Sequence, residues 1–408
     1  MITPPDPRDA QSLSTHNRSL ILNALRDEPL SRAQLGRITG LSAPSVTRLT
    51  KGLIDERMVV ELDEQTGGLG RPARLLARNP GAGALAAFEP LSPTTGHWAL
   101  ANAVGTLVAE GEFHTDPNGP ADEDALVEQA AACIHRASET TRLELLALAV
   151  AVPGMVNPNT GHVYEAPNLG WFDVGLARLL EKHFHPDVRV AVDNDVRVQA
   201  YAHRRRTLDP AVRDFVVVRL DTGLGSAIVV NDTLVRGHHW AAGEVGFLPL
   251  GTDRPCGQLP GGRGVLEQQL SAEGIVQRYR NALCEQSQAP YNENIDAVDI
   301  VRRAGHDPVA QKVVNDTITL LGLGTAAITS IVDPQVIIVD GIIGTRINGL
   351  GEALTAELER VFLNPPEVLI SALGAEGAVP GALELAELLT LGAVAGPLHP
   401  TSMAVVRP

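Results

Sequence analysis

The apolar positions of this chain fall into two regimes that meet near residue 80. In the first they recur at helical spacing. Residues 15–27 place Leu20, Ile21, Leu22 and Leu25 near one helical face. Ser31 and Gln34 have the spacing of a capping box, whose two side chains satisfy the N–H groups that open a helix. The helix they start carries Leu35 and Ile38 inward. It stops at Gly40, because glycine tolerates the left-handed conformation of a helix end. Ser42 is the next N-cap, and Pro44 fits the first turn, where its missing N–H has no intrahelical partner. This third helix, about 43–56, buries Val46, Leu49, Leu53 and Ile54. Met58–Leu62 then reads as a strand, EQTGGLGRP as a turn and Ala73–Ala77 as a returning strand.

From about residue 82 short apolar runs alternate with helical patterns. ALAAFEP, HWALANAVG, LLALAVAVPG, RVAVDND, FVVVRLDTGLGSAIVVN and DPQVIIVDGIIG read as strands, with a helix near 121–138 after the first two. This is an α/β pattern without an internal sequence repeat. Several strands end at turn residues and polar groups, where open α/β sheets place ligands.

Composition narrows the picture only in places. A length of 408 residues allows two or three domains. No apolar run is long enough for a membrane helix, and the N-terminus lacks the basic-then-apolar pattern of a signal peptide, so the expected location is the cytoplasm. The three cysteines are far apart and form no CxxC, which argues against a disulfide framework. Charge is more informative in its distribution than in its total of −15. Residues 1–80 hold 11 Lys and Arg against 9 Asp and Glu, a net of +2, which leaves 22 against 39, a net of −17, for the remainder. A slightly basic head on an acidic body suits a DNA-contacting module on a larger domain that stays off DNA.

Two short helices around a glycine turn form a helix-turn-helix, and the strand pair after them forms a wing. The outer face of the second of these helices presents Ser45, Thr47, Arg48 and Lys51 behind its cap Ser42, at the end that meets base edges in a major groove. Arg71, among the glycines of the wing tip, reaches phosphates or a narrow minor groove. The first eighty residues resemble the winged helix-turn-helix of many bacterial repressors.

Five stretches of the body, taken in order, resemble the ROK family (repressors, open reading frames, kinases). They are AVPGMVNPNTGHVYEAPNLGW, VAVDNDVRVQAYAH, LDTGLGSAIVVNDTLVRG, AAGEVGFLPL and DPQVIIVDG. The resemblance implies a winged helix-turn-helix over residues 1–80, followed by a two-lobed actin-like α/β domain over 81–408. Lobe one would take about 81–200 plus the C-terminal helix, and lobe two about 201–380. It also implies a sugar cleft between the lobes and a homodimer or homotetramer.

The positions that match the family's sugar contacts are Asn168, Asn194, Asp195, Glu244 and Glu267. Carboxylates accept from hydroxyl pairs, and amides donate and accept at once. The bland alternative is that these residues only cap turns. In the family's kinases the position of Asp195 holds the base that deprotonates the attacking hydroxyl. A binding protein can keep the same Asp for affinity. Thr222, Gly223 and Gly225 lie in a turn whose glycines let backbone N–H groups approach an anion.

A kinase also needs a first phosphate loop. Counted back from Gly105, that loop falls on Pro90–Thr94, with Pro90 in place of the metal-positioning Asp and Ser92 in place of a Gly. Glu89, one residue earlier, is expected to point to the opposite face of its strand. The family's zinc loop needs one His and three Cys. Here those positions read Phe247, Arg254, Cys256 and Val265, one ligand of four. The expectation is therefore a non-enzymatic DNA-binding regulator, a repressor of carbohydrate genes, that answers to a sugar or sugar derivative without zinc or another cofactor. Its partners would be an operator duplex and a second copy of the chain, with no membrane. The alternatives are an ATP-dependent sugar kinase with a DNA-binding head, or a regulator that has lost sugar binding.

Overall fold

The computed structural model describes residues 10–62, 74–116, 122–249, 264–287, 294–373 and 378–391. The head consists of α1 (Ala10–Ala24), β1 (Leu30–Ser31), α2 (Arg32–Thr39), α3 (Ala43–Asp55), β2 (Val59–Glu61) and β3 (Leu75–Arg78). The capping box forms as expected: Gln34 N–H donates to Ser31 Oγ, and Ser31 N–H donates to Gln34 Oε1. Gly40 ends α2 with φ at 70°, and Ser42 caps α3 by accepting from Ser45 N–H.

Three expectations for the head change. The first helix begins earlier and ends at Ala24. Ile38 is 61% exposed, because α2 is only two turns long and Leu35 is its one buried residue. The small sheet has a third strand: β1 pairs antiparallel with β3, which also pairs with β2. The expected wing tip, with Arg71, lies outside the described residues.

The body contains two five-stranded sheets. The first uses β4 (Ala84–Ser92), β5 (Thr95–Asn102), β6 (Leu107–His114), β7 (Leu145–Val152) and β11 (Arg189–Asn194), in the order β11-β7-β4-β5-β6. Helix α4 (Glu123–Thr141) covers one face. A small antiparallel sheet of β8 (Met155–Asn157), β9 (His162–Ala166) and β10 (Trp171–Val174) follows β7, and α5 (Leu176–Glu181) leads to β11. Next comes α6 (Asp195–Arg206).

The second sheet is built from β12 (Phe215–Leu220), β13 (Leu224–Val230), β14 (Thr233–Val235), β15 (Val336–Asp340) and β16 (Glu367–Ile370), in the order β14-β13-β12-β15-β16. Between its strands lie α7 (Val265–Leu270), α8 (Ala272–Ser287), α9 (Ala297–Arg303), α10 (Pro308–Val332) and α11 (Leu350–Glu359); α12 (Val379–Thr390) comes last. The two sheets repeat one plan, an antiparallel three-strand meander extended by two parallel strands. The repeat lies in topology, which is why no sequence repeat announces it.

Helix α12 packs against α6, β7 and β4. One continuous buried cluster runs from Ile21, Leu25 and Leu35 in the head, through Leu385 and Ala386 of α12, to Leu85 of one sheet and Phe215 of the other. Head and body are therefore joined by core packing. Burial of this kind stabilises by roughly 25 cal/mol per Å² of apolar surface.

Candidate functional site

The carboxyl ends of β4, β7 and β11 face those of β12 and β15 across a cavity of about 390 Å³. Crevices beyond such strand ends are where α/β sheets bind ligands. The cavity brings together all five residues expected to meet a sugar: Asn168, Asn194, Asp195, Glu244 and Glu267. Thr222, Gly223 and Gly225 line it as well.

Asn194 does two local tasks. Its Oδ1 accepts from Arg197 N–H at 3.1 Å and so caps α6. Its Nδ2 donates to Gly154 O at 3.1 Å and to Asp195 Oδ1 at 2.9 Å. The capping role weighed for it from sequence is thus present, and it also aims Asp195. Asn168 stands in the short 3-10 turn Pro167–Leu169, and Glu244 immediately precedes another, Val245–Phe247.

Glu267 reaches the cavity from α7. Its Oε1 accepts from Leu224 N–H at 3.3 Å. A Cβ at Gly223 would stand 2.5 Å from that oxygen, and one at Gly246 would stand 2.9 Å from Glu267 Cβ. The glycines of the turn do admit an anion, and the anion is the chain's own carboxylate. Thr222 N–H donates to Asp221 Oδ1 at 3.0 Å in the same turn.

One expectation reverses here. Glu89 does not face away: it lines the cavity and is 2% exposed. The register of β4 against β5 passes from Pro90–Gly96 to Ser92–Thr95, so Leu91 is an inserted bulge residue. The bulge bends the strand that simple alternation treats as straight. Ala378 N–H donates to Glu89 Oε2 at 2.6 Å. Arg219 Nη2 lies 3.9 Å from Glu89 Oε1 and 3.1 Å from Asp221 Oδ2. At the hairpin tip, Ser92 and Thr95 hydroxyls lie 2.8 Å apart, and Ser92 Oγ accepts from Thr94 N–H at 3.2 Å.

The cavity is acidic. Among the described residues, Glu89, Glu165, Asp195, Asp221, Glu244 and Glu267 line it against a single guanidinium, that of Arg219. Burial pushes Glu89 up to about 7; Arg219 opposes this and Asp195 adds to it. Burial likewise raises Asp195, with Arg219 opposing. Glu244 is raised by burial, against Arg197 and with Glu267. Burial works against the charge of Arg219, yet Glu89, Asp195 and Asp221 more than offset it. Sequence reasoning missed Glu89, Asp221 and Arg219 as site residues. The available signal for Arg219 was a lone charge in the otherwise apolar strand FVVVRL.

On the head, Ser42, Thr47, Arg48 and Lys51 are exposed, and Ser45 is half-buried with its hydroxyl 2.9 Å from that of Ser42. Thr47 and Lys51 line a groove between α3 and the small sheet, shared with Arg32 and Arg57. Arg32 is held by Glu61 at 2.7 Å.

The ROK family model matches residues 94–388. The chain belongs to the ROK family. The xylose repressor of Bacillus spizizenii is 24% identical over 379 residues, which cover 90% of this chain and 94% of the repressor. The DNA-binding transcriptional dual regulator NagC of Escherichia coli is 28% identical over 327 residues, 77% of each chain. Among solved structures, a ROK family transcriptional regulator homologous to the E. coli Mlc protein superposes with a TM-score of 0.74 at 22% identity, over 93% of this chain and 98% of that one. The fold is thus that of a ROK regulator, head included. The expected zinc loop falls on Arg254 and Cys256, outside the described residues; Phe247 is described, 54% exposed at the cavity rim.

Proposed function

We propose that this chain is a transcriptional repressor whose head binds operator DNA and whose cleft binds a sugar or sugar derivative of the pathway it controls. The observation that carries this is one helix, α6. Its first residue, Asp195, lines the cleft. Its last turn meets the head and α12: Arg205 pairs with Asp27, and Arg206 Nε lies 3.4 Å from Glu384. A ligand that moves the start of α6 therefore acts on the head through a rigid element. Such coupling requires the ligand to favour one of two arrangements.

On DNA, Arg48 and Lys51 would neutralise phosphates or reach base edges from the exposed face of α3, with Ser42, Ser45 and Thr47 beside them. Arg71 would do the same from the wing. Two heads of a homodimer would address half-sites about one helical turn apart. Footprinting on genomic fragments tests this: one fragment should be protected selectively, with strong salt dependence, and should be released by a sugar. Uniform binding to all fragments would reject it.

The chain acts as a binding protein rather than a sugar kinase. What supports this is the turn after β12, whose N–H groups already serve carboxylates, together with Pro90 and Pro93 in the first hairpin. An ADP-release assay over a sugar panel should show no turnover that Asp195→Asn abolishes. The chain also needs no zinc, since Phe247, Arg254 and Val265 stand where the resemblance places three of four ligands. Elemental analysis of the purified protein should find no stoichiometric metal.

A further inference from the structure

The cleft has the frame of a phosphate site and lacks its electrostatics. Backbone N–H groups at a glycine turn are good anion donors when they are free. Here Thr222 N–H is given to Asp221 and Leu224 N–H to Glu267. Gly223 lacks a Cβ at the point where Glu267 Oε1 comes within 2.5 Å of the place a Cβ would take. Among the described lining residues the one guanidinium is that of Arg219, whose Nη2 lies 3.1 Å from Asp221 Oδ2 and whose buried Nη1 makes no hydrogen bond. A phosphate at this turn would face Asp221 and Glu267, which hold its N–H groups, in a cavity also lined by Glu89 and Asp195. Sugar hydroxyls meet the same oxygens as willing acceptors.

We propose that the cleft is selective for an uncharged, polyhydroxylated ligand and rejects the phosphorylated form of the same sugar, with Asp221 and Glu267 as the residues that impose the choice. The proposal rests on the reading of the cavity as a sugar site and adds the charge class of the ligand. Like charges a few Å apart in a partly buried site repel strongly. The free sugar should therefore bind roughly a hundred-fold or more tighter than its phosphate ester.

The test is a thermal-shift and calorimetry panel on the full chain. It uses xylose, glucose and N-acetylglucosamine, beside glucose 6-phosphate and N-acetylglucosamine 6-phosphate at equal concentration. A free sugar should raise Tm, and the esters should not. Asp221→Asn keeps an oxygen for Thr222 N–H and removes the charge, so it should shift the ratio of ester to free-sugar affinity at least tenfold toward the ester. An ester that binds the wild-type protein as tightly as its parent sugar overturns the proposal while leaving the sugar-cleft reading intact. A ratio that Asp221→Asn leaves unchanged overturns the role of Asp221. Absence of any Tm response to both classes, in protein that still binds DNA, removes the sugar-cleft reading and this inference together.

Discussion

Two of the regions where the molecule buries acidic side chains treat them in opposite ways. Among the described residues lining the cleft, six carboxylates face one guanidinium. At the joint between head and body, Glu384 and Glu387 of α12 meet three arginines from three elements. Arg26 follows α1 and lies 2.5 Å from Glu384 and 2.6 Å from Glu387. Arg78 ends β3 and bonds both Glu387 and the carbonyl of Ala103. Arg206 ends α6 and reaches Glu384. Burial pushes Glu387 up, yet Arg26 and Arg78 prevail and hold it below its ordinary range. In the cleft burial prevails, and Glu89 rises to about 7. Matched buried charge fixes one arrangement of two parts. Under-matched buried charge keeps hydrogen-bonding capacity in reserve for a ligand, at a cost in stability.

The strongest way to break this contrast is Glu387→Ala. It leaves Arg26 and Arg78 buried without their shared carboxylate, a change that costs about 3–5 kcal/mol when a buried pair loses one partner. The expected result is a lower denaturant midpoint and faster hydrogen exchange in the head amides of α2 and α3. Wild-type stability with unchanged exchange would show that apolar packing alone holds the joint. Glu384, in the same cluster, is raised by burial against Arg26, so the opposite acid responses belong to Glu387 and Glu89. Glu387, lowered in the fold, contributes stability that is present above its ordinary 4.5 and lost as pH falls through its folded value.

The second prediction concerns Glu89. Its folded value of about 7 lies above its ordinary 4.5, so its contribution is fully present below 4.5 and is lost as pH rises through 7. Glu89→Gln removes that loss. Between pH 5 and pH 8 the variant should gain on the wild type by on the order of 2 kcal/mol. Parallel stability curves over that range, from urea unfolding, would place Glu89 in a wetter site than its burial implies.

Much of the head was legible because its signals are local. Ser31 with Gln34, Gly40, and Ser42 with Pro44 act within one or two turns, and each appears where it was expected. Ile38 failed because a periodic pattern ignores how short α2 is. The cleft residues expected from sequence do converge on one cavity, since each ends a strand or opens a helix or turn. Glu89 was misplaced by a single bulge residue, Leu91, which no local pattern marks. The joint was invisible for a different reason: Arg26, Arg78 and Glu387 are more than 300 residues apart in part, and the acidic pair in LELAELL reads as a solvated face when the helix is in fact buried throughout.

A third, smaller effect sharpens the picture inside the cleft. Gly223→Ala puts a Cβ against Glu267 Oε1, the flexible end of a side chain that can yield. Stability should fall by about 1 kcal/mol or less, as for an ordinary surface-turn change. Affinity for a free sugar should fall roughly tenfold, because Glu267 is pushed off Leu224 N–H and loses its aim. Unchanged affinity by calorimetry would remove Glu267 from the binding set.

The smallest effect on stability belongs to a charge that is neither buried nor matched by design of the core. Arg48 is exposed on α3. Arg48→Ala should leave unfolding within about 0.5 kcal/mol of wild type, as exposed substitutions do. DNA binding should nevertheless weaken, and the slope of log affinity against log salt should fall by about one, the signature of a lost phosphate contact. If binding weakens only on the preferred operator and the salt slope stays fixed, Arg48 reads a base instead. In both outcomes the cost appears on DNA and not on folding, which is the reverse of what Glu387→Ala should show at the joint.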